Sequence, residues 1–131
     1  MNNDDPRAAA RAANDTDPQT IAALVQDALD DAKASDIQTI DVRGKTSITD
    51  FMIVACGSST RHVKTLSEQV VLRSKRAGLQ VLGVEGEKDA EWILVDLVDV
   101  LVHLMLPRTR AFYNLEGLWS VPGQQAAQGT V

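Results

Sequence analysis

The run Asp89–Met105, DAEWILVDLVDVLVHLM, constrains this chain more than any other stretch. It is the longest apolar region, yet Asp96 and Asp99 sit in its middle and Trp92 near its start. A membrane span takes about 20 apolar residues with few charges, so this run is too short and too acidic to be one. Two strands joined by a tight turn near Leu97-Val98-Asp99 fit it better. Burial in a sheet accounts for the Val, Ile and Leu side chains. It does not account for acids among them, and those acids mark a candidate site.

A chain of 131 residues is one domain's worth, and 44% hydrophobic content is enough to build a core. The net charge of −5 argues against a protein that coats nucleic acid by itself, because phosphate contacts need clustered Lys and Arg. An acidic balance suits a basic partner, although many partnerless proteins are mildly acidic too. The single Cys56 lies in an apolar run and suits a reducing compartment. The N-terminus lacks the apolar centre of a secretory signal, and Asp4, Asp5, Asp15 and Asp17 are foreign to a transit peptide. The cytoplasm is the expected location.

Residues 1–16 contain no large apolar side chain beyond Met1 and read as a mobile tail, with at most a marginal helix over Ala8–Ala13. Asp17-Pro18 opens a helix as N-cap and first helical residue, and Ile21, Leu24, Val25, Ala28, Leu29 and Ala32 form its apolar stripe. Ile37–Val42 is a strand. The run FMIVACG lacks alternation and reads as a strand buried on both faces. Gly57-Ser58-Ser59 then caps a helix over residues 60–77, which Gly78 ends. Gln80–Val84 is a third strand, followed by the hairpin of the opening run and a helix from Pro107. Leu118 and Trp119 are expected to pack on the domain, and residues 121–131 read as a second disordered tail. The domain proper spans residues 17–120. This order specifies an α/β (α+β) fold, a mixed five-stranded sheet with helices packed on it.

Each chemical site has a plainer reading beside it. His62 and His103 are far apart in sequence, and one Cys gives no short ligand pair, so no metal is expected. Cys56 reads as a small core hydrophobe and Ser58 as a cap, since the G-x-S-x-G spacing is absent. The alternative with most chemistry is a nucleotide-binding or nucleotidyltransferase-like enzyme. It would use the backbone N–H groups at Gly57-Ser58-Ser59 with Arg61 and Lys64 nearby. Such enzymes hold metal ions on acids one residue apart on a strand. Asp96 and Asp99 are three apart and flank a turn, which does not build that pair. The remaining candidate is a protein-binding face with Trp92 as anchor and Asp96 and Glu91 as charged partners. A core Trp92 with turn-capping acids is an equal reading of the same residues.

Several blocks of the chain resemble one family. These are Ser47-Ile48-Thr49-Asp50-Phe51, Ala55-Cys56-Gly57-Ser58-Ser59-Thr60-Arg61-His62-Val63 and Gly83-Val84-Glu85-Gly86-Glu87. Trp92 to Leu97, Asp99 to His103, Phe112-Tyr113-Asn114-Leu115-Glu116 and Leu118-Trp119 continue the pattern. Together they are similar to the ribosomal silencing factor, or Iojap, family over about residues 20–120. One departure is Val98, where the family pattern usually has Gly; a β-branched residue adopts positive φ only at a cost.

The resemblance implies a nucleotidyltransferase-like fold without catalytic acids, no cofactor and no enzymatic activity. It implies binding to the large ribosomal subunit through its protein fourteen. Steric blockage of subunit joining would then repress translation under nutrient limitation. A homodimer is also implied. Carried onto this chain, the partner-facing patch is Trp92, Asp96 and Leu97, with Glu85, Asp99, His103 and Tyr113 as further members. Thr49, Asp50 and Arg61 match the motif but have an equally good structural explanation.

Overall fold

A computed structural model describes residues 6–118. Five strands, β1 (Ser35–Asp41), β2 (Phe51–Cys56), β3 (Gly83–Glu85), β4 (Trp92–Asp96) and β5 (Val100–Met105), form one sheet in the order β1-β2-β5-β4-β3. Only β2 and β5 run parallel; the other neighbours are antiparallel, so the sheet is mixed as expected. β2 is buried along its whole length, which is why its sequence shows no alternation.

Two long helices, α2 (Pro18–Asp31) and α3 (Thr60–Arg76), cover one face. Asp17 caps α2 by accepting from the Gln19 N–H, and Ser59 caps α3 by accepting from the His62 N–H. Ile21, Val25 and Leu29 of α2 and Val63, Leu66 and Val70 of α3 are fully buried against Ile53, Ile93, Val95, Val102 and Leu104. The opposite face holds a smaller cluster of Val42, Met52, Val54 and Met105. The short helices α4 (Pro107–Tyr113) and α5 (Leu115–Leu118) follow β5, and Leu115 packs against this smaller cluster.

Two expectations need correction. The marginal helix expected over Ala8–Ala13 is a helix from Pro6, α1 (Pro6–Ala13), although none of its residues is buried. An estimate based on apolar burial misses it because its contacts are polar ones made by Arg7, Arg11 and the following Asn14. The third strand begins at Gly83 rather than Gln80, although Leu82 already donates its N–H to Asp96 C=O at 2.8 Å. The expected packing of Leu118 and Trp119 and the C-terminal tail lie outside the residues whose side chains are described.

The hairpin at residues 97–99 keeps a left-handed backbone with valine in it. Val98 has φ +74°, and the Asp99 N–H donates back to Leu97 C=O at 2.9 Å, a γ-turn of the rarer, strained hand. The Asp96 carboxylate accepts from the Val98 N–H at 2.9 Å, and the Arg7 guanidinium donates to Val98 C=O at 3.0 Å. These bonds offset the strain, and they explain the Asp at position 96 without a partner.

Val98 is also fully buried, so shortening it removes packing. Val98→Ala keeps a Cβ in the unfavourable backbone, whereas Val98→Gly removes it. We expect Val98→Gly to match or exceed Val98→Ala in stability, by about 1 kcal/mol in urea unfolding, the reverse of the usual strand order. An alanine variant clearly more stable than the glycine variant would show that the turn is not strained.

Candidate functional site

Alternation along β4 turns Ile93 and Val95 under the helices and leaves Trp92, Leu94 and Asp96 on the other face. The register sets Trp92 opposite Met105, Leu94 opposite His103 and Asp96 opposite Leu101, while Glu85 of β3 lies opposite Leu94. Side chains opposite one another share a face. Glu85, Trp92, Leu94, Asp96 and His103 therefore form one surface, drawn from three strands.

Helix α4 brings two more aromatic rings to it. Pro107 starts the helix at its first position, and Asn114 ends it in the left-handed conformation at φ 49°. Tyr113 stacks at a tilt on Trp92, with ring centroids 4.8 Å apart, and Phe112 meets Tyr113 edge-on at 4.9 Å. Phe112 is 79% exposed and Tyr113 53% exposed. Two open depressions adjoin this cluster, one lined by Glu85, Gly86, Trp92, Leu94 and His103, the other by Glu91, Arg108, Thr109, Phe112 and Tyr113.

His103 holds the indole in place. The Trp92 Nε1–H donates to His103 Nδ1 at 2.9 Å, which requires that nitrogen to be unprotonated. Burial supplies the condition by lowering the His103 pKa from its ordinary 6.5 to about 4. His103 thus supports Trp92 from within the same surface.

Arg110 anchors α4, a role sequence reasoning missed. Its guanidinium donates twice to the Glu116 carboxylate, each bond 2.8 Å, and also reaches Asp36 C=O and Cys56 Sγ. The pairing holds the Glu116 carboxyl below its usual range and raises the Arg110 pKa. The only sequence sign is opposite charge six residues apart across a helix break, a common spacing that identifies nothing.

Gly86 has φ +92°, and a Cβ there would lie 2.1 Å from the Trp92 carbonyl oxygen. Its place in the motif is a matter of close backbone approach. Gly57 is similar: a Cβ would sit 2.8 Å from both Cγ2 and the backbone nitrogen of Val63. At the turn after it, the Ser58 N–H donates to His62 Nδ1 at 2.9 Å, and the His62 N–H is taken by Ser59 Oγ. Two of the N–H groups at this helix entry, those of Ser58 and His62, are thus engaged by the protein's own side chains.

Three expected patch members lie elsewhere or are otherwise occupied. Leu97 is fully buried in the main core and cannot touch a partner. Asp99 is 5% exposed; its carboxylate accepts from Asn14 Nδ2 at 2.9 Å, and its C=O accepts from the Asp50 and Phe51 N–H groups. Asp96 is on the face, but its two oxygens take both Arg7 Nη groups at 2.6 and 3.1 Å. Leu94 and Phe112 are members that the sequence reading did not name. Among the described residues no group of three or more His, Cys, Asp or Glu is placed to hold a metal ion, and no helix is long and apolar enough to cross a membrane.

Residues 14–130 match the family model described as ribosomal silencing factor during starvation. The chain is 46% identical over 101 residues to the ribosomal silencing factor RsfS of Chromobacterium violaceum, which covers 77% of this chain and 83% of that protein. It is 43% identical over 103 residues to the RsfS of Zymomonas mobilis, covering 79% and 77%. A mouse relative named mitochondrial assembly of ribosomal large subunit protein 1 is 34% identical over 91 residues, 67% of this chain and 40% of its own length. A crystal structure of a Chromobacterium violaceum protein superposes with a TM-score of 0.79 at 43% identity, covering 82% of this chain and 91% of that one.

Two measurements check the geometry. Unfolded, the His103 imidazole titrates near 6.5, and folded near 4. Between those values the unfolded chain binds more protons, so this contribution is complete above pH 6.5 and is lost as pH falls toward 4, roughly 3 kcal/mol in all. His103→Gln is expected to flatten the stability profile between pH 6.5 and 5, above the range where most carboxylates titrate; an unchanged slope would count against a buried neutral imidazole. Gly86→Ala is expected to cost about 2 kcal/mol or more in thermal or urea unfolding and to shift the Trp fluorescence. A neutral effect would mean the loop is not held against Trp92 as described.

Proposed function

This chain belongs to the ribosomal silencing factor family, and from that premise we propose that it docks on the large ribosomal subunit through the subunit's protein fourteen. Bound there, it stands in the way of the small subunit and lowers translation when nutrients are scarce. The mechanism is steric, and no covalent step is part of it.

The observation that carries this reading is an aromatic cluster on a sheet face, a half-buried Trp92 with the exposed Tyr113 and Phe112 beside it, rimmed by Glu85 and Glu91. Exposed aromatic side chains held in one geometry are what interface centres are made of, since they bury much area for little lost freedom. Trp92 is held by His103, and Tyr113 by the Arg110-anchored helix, so the surface is ready before a partner arrives. Carboxylates at the rim of a chain of net charge −5 favour a basic partner, chiefly by raising its association rate. Ribosomal proteins that contact RNA have that charge. The large subunit, rather than the small, is supported by the name of the mouse relative.

Sedimentation with purified large subunits tests the reading. Trp92→Ala is expected to weaken binding by about 30-fold or more, the usual effect of losing a central aromatic anchor. Phe112→Ala, which removes a side chain that is 79% exposed, should leave thermal stability unchanged and weaken binding by a smaller factor. If both variants bind as the parent does, the docking face lies elsewhere on the molecule.

A further inference from the structure

We propose that α1 is an internal latch, in which Arg7 occupies Asp96 at the acidic end of the docking face while Arg11 ties the helix to Asp50 and Asp99 beside it, and α1 must leave before a partner's cations can reach Asp96. The inference rests on the docking reading above and adds a competitor to it.

The geometry is that of a ligand supplied by the chain itself. Arg7 and Arg11 are four residues apart, so both project from one side of the helix. Arg7 forms the two-pronged pair with Asp96 and also donates to Ile48 C=O at 2.9 Å and Val98 C=O at 3.0 Å. Arg11 donates to Ile48 C=O at 2.7 Å and lies 3.6 Å from Asp99 and 3.8 Å from Asp50. Asn14, one residue past the helix, adds its bond to Asp99. Asp96, the acid on the docking face, is thus paired from within, and the bonds to Asp99 and Asp50 hold the helix in place.

What holds α1 is also what allows it to leave. None of its residues is buried, so it has no apolar anchor, and an eight-residue helix is marginal alone. Its attachment consists of hydrogen bonds and partly exposed ion pairs, which salt weakens. The segment precedes residue 14, where the family match begins, so the latch belongs to a part of this chain outside the matched region.

Competition follows from dimensions. Asp96 lies four residues along β4 from Trp92, on the same face, a separation of roughly 13 Å. A partner footprint of about 800 Å² is roughly 28 Å across. A footprint centred on Trp92 therefore reaches Asp96 and meets Arg7 there. A partner that binds only the open form has an apparent affinity reduced by the fraction of molecules that are open.

The test uses the full-length chain and purified large subunits, comparing the parent, the double variant Arg7→Ala/Arg11→Ala, and Trp92→Ala. The double variant is expected to bind about fivefold more tightly, corresponding to a latch closed about four-fifths of the time. The gap between it and the parent should narrow as salt rises. If Trp92→Ala loses binding while the double variant binds no better than the parent, or binds less well, the latch is refuted and the docking face stands. If Trp92→Ala binds normally, the docking face itself is misplaced and the latch falls with it.

Discussion

Between β4 and β5 the register runs from Trp92 opposite Met105 to Asp96 opposite Leu101, and a strand's period of two means that a slip of one residue would exchange its faces. Ile93 and Val95 would then meet water, and Trp92, Leu94 and Asp96 would enter the apolar layer beneath α2 and α3. The turn that closes the hairpin prevents this. Its shape depends on Asp96 accepting from the Val98 N–H and on a valine held at positive φ. The placement of the aromatic face and the completeness of the main core follow from the same three-residue turn.

Carboxylates in this hairpin serve different ends according to depth. Asp99 is nearly enclosed and bonded through both side chain and backbone, so its work is structural. Glu85 is exposed at the rim, where a charge influences encounter with a partner more than final affinity. Asp96 stands between them, bonding the turn through one oxygen while presenting both to a guanidinium. A similar division governs the aromatic residues. Trp92 is half-buried and fixed by a neutral histidine, whereas Phe112 projects almost freely.

Much of the architecture was legible in the chain. The Asp17-Pro18 start of α2, the Ser59 cap of α3, the unbroken apolar run of β2 and the turn within Leu97-Val98-Asp99 all rest on local rules, and the structure contains each of them. The site was legible in part. Trp92, Glu85, Asp96 and Tyr113 share the predicted surface, but Leu97 does not, because a residue inside the turn escapes the alternation that orients its neighbours. Leu94 went unremarked because a leucine in a strand reads as core. Phe112 belongs to the family pattern but is not singled out as partner-facing, since nothing local says which side of α4 faces solvent.

Residue type and order alone determined the mixed sheet, the helices on it, and the absence of an acid pair one residue apart, because these depend on periodicity, caps and spacing. Three-dimensional packing alone decided which carboxylates remain available. Arg7 and Asp96 are 89 residues apart, and no local rule relates a basic, alanine-rich segment to a distant hairpin. The segment buries nothing, so hydrophobic patterning is blind to it; its place is set by charge and hydrogen bonding across space. The same holds for Arg110 and for the Trp92–His103 bond, whose partners meet only once the sheet has formed.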